Sequence, residues 1–173
     1  MSAGAPTHRF KTLVIGWLET SGLGYDTRYR HYRAQFPELA PARLARLVCD
    51  PIEYYDREWA AQGGGAAADA ARLTRFVRER DARFRAEAAV AIYCFDEAGI
   101  GSGINVMRFL QARKPVLGFY AADPAKRRVN LTNVLQLEED FPDRLRLAAY
   151  GTAEEITARL GAWLSALPGT DVR

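Results

Sequence analysis

The feature that most constrains this chain is a pair of apolar runs separated by a glycine-rich segment, within residues 88–120. The first run, AAVAIYCF at 88–95, is typical of a buried strand. It ends at Asp96 and Glu97, and the segment GIGSG at 99–103 then leads into a helical pattern and the second run, PVLGFY. This order predicts a β-loop-α-β unit, in which ligands bind where a strand ends and the next helix begins.

Strand-like and helical patterns alternate along the rest of the chain. Apolar runs predict five strands, at 10–18, 44–50, 88–95, 115–120 and 144–150. The alternation predicts an α/β, flavodoxin-like three-layer fold with a five-stranded parallel sheet in the order 2-1-3-4-5. The loops at 18–27, 96–103 and 120–133 would then meet in one ligand crevice. Helices are expected from about 27 to 36, from 66 to 88 and from 103 to 113. A short helix or turn is expected within 122–137, and a last helix follows a capping box of Thr152 and Glu155.

Length and composition favour one globular domain over residues 1–173. The segment 50–65 contains a glycine triplet and is interpreted as a loop insertion. No apolar run reaches the roughly 18 residues of a membrane span, and the first residues lack the apolar core of a signal peptide. Cys49 and Cys94 lie in apolar segments and are interpreted as small buried side chains. We therefore expect a cytoplasmic protein without a membrane association.

The formal charge is +3, and arginines dominate the stretch RLTRFVRERDARFR at 72–85. The favoured interpretation of this stretch is a solvated helix face, with nucleic-acid binding as the alternative. A mildly basic protein would also suit a small anionic ligand such as a nucleotide.

Few residue patterns point to chemistry. His8 and His31 are isolated, so no metal site and no cofactor are expected. Ser102 has no histidine base in sight, which argues against triad-type hydrolysis. The carboxylates that remain are Glu19, Asp81, Asp96 and Glu97, and paired carboxylates are the groups that glycosyl transfer uses. The alternative is that Asp96 and Glu97 only cap a loop.

Three segments in the second half of the chain carry a family resemblance. They are ERDARFRAEAAVAIYCF at 79–95, GSGINVMRFLQARKPVLGFY at 101–120 and RVNLTNVLQL at 128–137. In order and spacing they resemble the nucleoside 2-deoxyribosyltransferase superfamily, and most closely its deoxynucleoside 5′-monophosphate N-glycosidase branch. The first 70 residues match only loosely.

The resemblance implies a site for an N-glycosidic bond. In the family a glutamate attacks C1′ of deoxyribose, and an aspartate in the preceding helix, here Asp81, assists proton transfer. Gly101, Ser102 and Gly103 would hold the sugar or its phosphate. A hydroxyl near Thr132 would reach the partner subunit's site, which implies a homodimer. Tyr25 and Asn133, in the surrounding loops, complete the list of expected ligand contacts.

Asn105 occupies the position of the family's nucleophile. Its neutral amide is a poor nucleophile and does not offset oxocarbenium charge as a carboxylate does. The sequence therefore predicts a nucleotide- or nucleoside-binding protein that lacks the standard glycosyl-transfer activity. One alternative is an active N-glycosidase or deoxyribosyltransferase that uses a relocated carboxylate, Glu97, Asp96 or Glu19. The other is a structural or nucleic-acid-binding relative.

Overall fold

The computed structural model describes residues 8–22, 26–49, 61, 63 and 70–168. Seven helices and three strands fall within these ranges. In chain order they are α1 (Arg9–Thr20), α2 (Arg28–Gln35), α3 (Pro41–Cys49), α4 (Ala70–Glu87), β1 (Ala91–Cys94), α5 (Ile100–Gln111), β2 (Val116–Ala121), α6 (Leu131–Asp140), β3 (Leu145–Tyr150) and α7 (Ala153–Ala166). A short 3-10 helix, Phe95–Glu97, connects β1 to the segment before α5.

The three strands form one parallel sheet in the order β1-β2-β3. Cys94 of β1 pairs with Phe119 of β2, which pairs with Ala148 of β3. The α/β class and the parallel sheet are confirmed, and the order agrees with the last three strands of a flavodoxin-like arrangement. Because crossovers between parallel strands are right-handed, α5 and α6 lie on the same face of this sheet.

The predicted strands at 10–18 and 44–50 are wrong, because residues 10–18 and 44–49 are helical. In α1 the buried side chains are Phe10, Val14 and Ile15. In α3, Leu44 and Leu47 are fully buried, and they are three residues apart, which places them on one helical stripe. The described residues therefore hold a sheet of three strands rather than five.

Contacts divide the described residues into two compact units. The first unit contains residues up to Gly16 and from Asp26 to Ala88, and the second contains Trp17 to Gly22 and residues from Ala89 onward. The first unit is helical, whereas the second contains the whole sheet with α5, α6 and α7.

In the first unit the predicted helices are confirmed. Thr27 caps α2 by accepting a hydrogen bond from the backbone N–H of Arg30, and α2 ends at Gln35, two residues before Pro37. The helix expected at 66–88 is α4.

The ring of Phe84, on α4, fixes the contact between α4 and α2. It packs edge-on against Tyr32 and stacks with His31. Because Tyr32 is fully buried, these ring contacts form part of the core of the first unit.

In the second unit, one glycine is required by packing. A Cβ placed on Gly118, in the central strand, would overlap the ring of Phe95 and come within 3.1 Å of Leu147. The predicted start of α7 is confirmed, with Thr152 accepting from the N–H of Glu155 at 3.3 Å. The Glu155 carboxylate accepts from the N–H of Gly151 at 2.7 Å, one residue before the Thr152 N-cap, rather than from the N–H of Thr152 as in a reciprocal capping box.

Candidate functional site

The residues predicted to form a ligand loop are instead the first turn of α5. The helix begins at Ile100, and Gly99 is its N-cap. The N–H groups of Ser102 and Gly103 donate to the carbonyl of Gly99, at 3.0 and 3.2 Å. As a glycine, Gly99 supplies no side-chain cap to this helix. The first N–H groups of a helix have no partner inside it, and in α5 these include the N–H groups of Ile100 and Gly101.

The glycines of this turn are not explained by packing. A Cβ placed on Gly99, Gly101 or Gly103 would meet no atom within 4 Å, and none of the three has a positive φ. Glycine inside a helix costs about 1 kcal/mol relative to alanine. The turn therefore forgoes stability while leaving its backbone accessible, which is the arrangement that close approach of a ligand or another chain requires.

Asp96 joins the ends of β1 and β2. Its Oδ2 accepts a hydrogen bond from the N–H of Ala121 at 2.5 Å. Its Oδ1 accepts from the N–H groups of Arg128 and Val129, at 2.7 and 3.3 Å. The residue is only 9% exposed. This candidate catalytic carboxylate is thus bound by three backbone donors, and it holds the loop after β2 against the end of β1.

The loop held by Asp96 is basic. Arg127 binds the carbonyls of Ala121 and Ala122, both at 3.0 Å, and its guanidinium lies 5.5 Å from the centre of the Tyr120 ring. Arg127 therefore shapes the loop. Lys126 and Arg128 are exposed, so the loop presents positive charge at the edge where the strands end, which we call the carboxyl edge.

Two further polar groups lie at the carboxyl edge, and sequence reasoning missed one of them. The hydroxyl of Tyr150, the last residue of β3, lies 3.6 Å from Sγ of Cys94. Burial, the bond to Cys94 and the nearby carboxylates of Asp96 and Glu97 raise the pKa of the Tyr150 phenol. Burial likewise raises the pKa of the Cys94 thiol. Both groups therefore stay protonated at neutral pH. The position of both residues at the ends of predicted strands is the sequence feature that could have identified them as site residues.

The other predicted ligand and catalytic residues of the second unit are scattered. Glu97 is exposed at the end of the 3-10 helix, close enough to Tyr150 to influence its pKa. Asn105 is half-buried, one turn beyond Gly101 in α5. Thr132 and Asn133 are exposed in the first turn of α6, where the Asn130 side chain caps the helix by accepting from the Thr132 N–H.

Two of the predicted residues fall elsewhere. Glu19 was expected to follow a strand, but it is an exposed residue of α1, because the segment before it is helical. Tyr25 lies outside the described residues, as does the predicted loop insertion at 50–65 apart from Ala61 and Gly63.

Asp81 belongs to the first unit, where it is part of a charged cluster. Its carboxylate lies 2.7 Å from Arg28, 3.3 Å from Arg80 and 3.5 Å from the hydroxyl of Tyr32. The Arg80 side chain is only 1% exposed, and its guanidinium lies 5.3 Å from the centre of the Tyr32 ring. Burying a charge is costly unless it is paired, so Asp81 has a structural task as the counter-ion of two guanidinium groups.

No group of three or more histidine, cysteine, aspartate or glutamate side chains is arranged for a metal ion in the described ranges. Within the same ranges, none of the helices combines the length and the hydropathy that crossing a bilayer requires.

Comparison with known proteins returned nothing: neither a family model nor a curated protein nor a solved structure matches the chain.

Proposed function

We propose that the second unit binds a nucleoside 5′-monophosphate, or a related sugar phosphate, at the carboxyl edge of its sheet. The observation that carries this proposal is the N-terminus of α5, which follows β1 and the short 3-10 helix, has the side-chain-free Gly99 as its N-cap, and has glycine at two of its first four positions. In open parallel sheets, ligands bind outside the carboxyl ends of the strands.

The phosphate would be bound by the first turn of α5. Backbone N–H groups and the positive end of the helix dipole both favour an anion at such a terminus. Without a Cβ on Gly101, a phosphate oxygen can approach the backbone closely. The exposed side chains of Lys126 and Arg128 add positive charge to the same edge, and Asp96 holds their loop in place.

The remainder of the ligand would lie along the carboxyl edge. The Tyr150 hydroxyl, which stays protonated, can donate to or accept from a sugar hydroxyl or a base. The ligand class itself comes from the family resemblance of residues 79–137. The homodimer that the resemblance implies is part of the same proposal.

We further propose that this site binds its ligand without cleaving it. Asn105 carries no charge, and the carboxylate of Asp96 already accepts three backbone hydrogen bonds. An active N-glycosidase is the second candidate, and the observation in its favour is the exposed carboxylate of Glu97 between β1 and α5. A nucleophile at Glu97 would predict release of free base from deoxynucleotides, and loss of that release in Glu97→Gln.

Binding is best tested by thermal shift with a panel of deoxynucleosides and their 5′-monophosphates. A ligand at 100 times its Kd stabilises a folded protein by about 2.7 kcal/mol. We expect the monophosphates to raise Tm and the corresponding nucleosides to do so much less, because the phosphate supplies the contacts with α5.

Two variants of one residue separate binding from folding. Gly101→Asp places a carboxylate in the open space beside the first turn, where a negative charge favours the helix by about 0.3–1 kcal/mol. We expect a raised Tm without ligand and no response to monophosphates. Gly101→Asn has nearly the same size without the charge; it should retain a weakened response, because its side chain crowds the phosphate but does not repel it. An unchanged shift in Gly101→Asp would refute the assignment of the phosphate to α5.

A salt titration distinguishes nucleic-acid binding by the arginines at 72–85 from the binding of a mononucleotide. Neutralising several backbone phosphates makes affinity fall steeply with salt, whereas a single bound mononucleotide responds much less. Arg80, one of these arginines, is buried and unavailable for such contacts.

A further inference from the structure

The middle of the exposed face of α4 is formed by small side chains. On the buried face, Phe76 and Phe84 are eight residues apart and lie in one row. Because each residue advances about 100° around an α-helix, Ala82 lies close to the opposite side, with Ala86 beside it. Both alanines are exposed. We call this line along the outside of α4 the crest.

Arginines lie on both sides of the crest. The same rotation places Arg78 and Arg85 on one flank, Arg72 and Arg83 on the other flank, and Arg75 on the crest itself. All of them are exposed except Arg85, which is half-buried. The first pair is separated by about 10 Å along the helix axis and the second pair by about 16 Å. The helix therefore presents two parallel rows of positive charge.

The carboxylates of α4 leave most of this charge uncompensated. Asp81 is the counter-ion of two guanidinium groups inside the first unit, and the Glu87 carboxylate lies 3.2 Å from the imidazole of His31. The remaining acidic residue of α4 is Glu79, which lies on the flank of Arg72 and Arg83. A solvated helix face more often alternates the two signs of charge, so this excess points to an anionic partner.

We propose that α4 is a docking surface for double-stranded DNA, with the crest in the major groove and one arginine flank on each phosphate strand. The major groove is about 12 Å wide and admits an α-helix, whose diameter with side chains is about 10–12 Å. Alanines on the crest let the helix approach the groove floor. Guanidinium groups bind phosphates through paired hydrogen bonds, which suits flanks built from arginine. The nucleotide site proposed above belongs to the second unit and plays no part in this contact.

Other anionic partners fit this face less well. Single-stranded nucleic acids stack their bases on exposed aromatic rings, whereas Phe76 and Phe84 of α4 are buried. A helix that lies on a bilayer inserts large apolar side chains. Among the described residues, the exposed large apolar side chains are Ile100, Ile104 and Leu135, all outside α4. Duplex RNA has a deep, narrow major groove that side chains cannot read, so DNA is the favoured duplex.

The affinity should come from phosphates and depend little on base sequence. The helix α4 contains no asparagine or glutamine, the side chains that read adenine. Four flank arginines on four phosphates predict that log K falls with log salt concentration with a slope of roughly −3.6. Sequence-independent binding of this kind has a Kd of about 10⁻⁴ to 10⁻⁶ M at physiological salt.

The experiment is a fluorescence anisotropy titration of a labelled DNA duplex with the full-length chain, between about 50 and 200 mM salt. Wild type should bind with the slope given above. Arg78→Glu should weaken binding at least tenfold at the lowest salt, because it places a negative charge beside a phosphate strand. The matched control is Arg159→Glu, on the exposed side of α7, which should bind as wild type does.

A gain of affinity separates docking from folding. Glu79→Gln removes the carboxylate between Arg72 and Arg83 and should strengthen binding several-fold, which a damaged fold would not produce. Glu139→Gln, exposed on α6, is its matched control and should leave binding unchanged. Far-UV circular dichroism of every variant shows whether it is folded, and Glu79→Gln tests the surface even if Arg78→Glu fails to fold.

Competitors identify the partner. Unlabelled duplex DNA should displace the labelled duplex, whereas duplex RNA, polyglutamate and phosphatidylserine vesicles at equal charge should displace it much less. Equal displacement by RNA would place α4 outside the major groove, and equal displacement by polyglutamate or vesicles would assign the surface to an acidic protein or a membrane. Each of these results would overturn the proposal, as would the absence of binding at 50 mM salt or an affinity of Arg78→Glu equal to that of Arg159→Glu.

Discussion

The carboxylate of Asp96 gives the most direct test of how the carboxyl edge is built. In Asp96→Ala, the N–H groups of Ala121, Arg128 and Val129 all lose their acceptor. A hydrogen bond to a charged group contributes about 1.5–3 kcal/mol, and a buried donor left without a partner costs about 1–3 kcal/mol. The two donors in the exposed loop can turn to water, whereas the Ala121 N–H is buried. We therefore expect a loss of about 3–5 kcal/mol.

Guanidinium titration followed by circular dichroism measures this loss as a change in the free energy of unfolding. Asp96→Asn should lose about 2–3 kcal/mol, because one amide oxygen still accepts but the NH2 group faces a donor. Glu139→Gln changes a carboxylate exposed on α6 and should stay within about 0.5 kcal/mol of wild type. If Asp96→Ala were as stable as Glu139→Gln, the three hydrogen bonds would not hold the loop.

Three further perturbations test other parts of the structure. Gly118→Ala should destabilise the protein by about 1–3 kcal/mol, because its Cβ overlaps Phe95. Gly103→Ala, at a helical position with open space around it, should stabilise the protein by up to about 1 kcal/mol. Equal effects of the two substitutions in a denaturant titration would contradict this expectation. Asp81→Asn removes the counter-ion of a buried guanidinium and should lower the free energy of unfolding by about 2–4 kcal/mol in the same assay. A change below about 0.5 kcal/mol would mean that Asp81 is not needed as a counter-ion. The raised pKa of Tyr150 means that its contribution to stability is present below pH 10.0 and is lost as pH rises above that value. Tm should therefore fall less steeply with alkaline pH in Tyr150→Phe than in wild type, and parallel curves would argue against this linkage.

The second half of the fold was predictable because several signals agree there. The strands at 115–120 and 144–150 are apolar runs that follow a proline or a turn, and Thr152 marks the start of α7. In the first half the apolar runs at 10–18 and 44–50 carry no such additional signal, and periodicity alone does not distinguish a buried strand from a buried helix segment. Two signals for α3 were overlooked: the Leu44 to Leu47 spacing, and Pro41 at the first helical position, where proline is favoured.

The candidate site was predictable in its location and less so in its details. The sequence correctly predicted that the loops after 94 and after 121 meet, and Asp96 is the residue that joins them. It treated Gly101 and Gly103 as loop residues, because glycine is a turn signal. The helix begins before them since the core packing of Val106, Phe109 and Leu110 outweighs the unfavourable helix propensity of two glycines.

The environment of Cys94 provides a measurement that requires no denaturant. Thiol reagents attack the thiolate, and this thiol is both buried and held protonated at neutral pH. In a Cys49→Ala background, alkylation of the remaining cysteine should therefore occur only when β1 opens. The rate of labelling would then report how often the second unit opens under native conditions, with each 1.4 kcal/mol of opening free energy slowing the modification about tenfold.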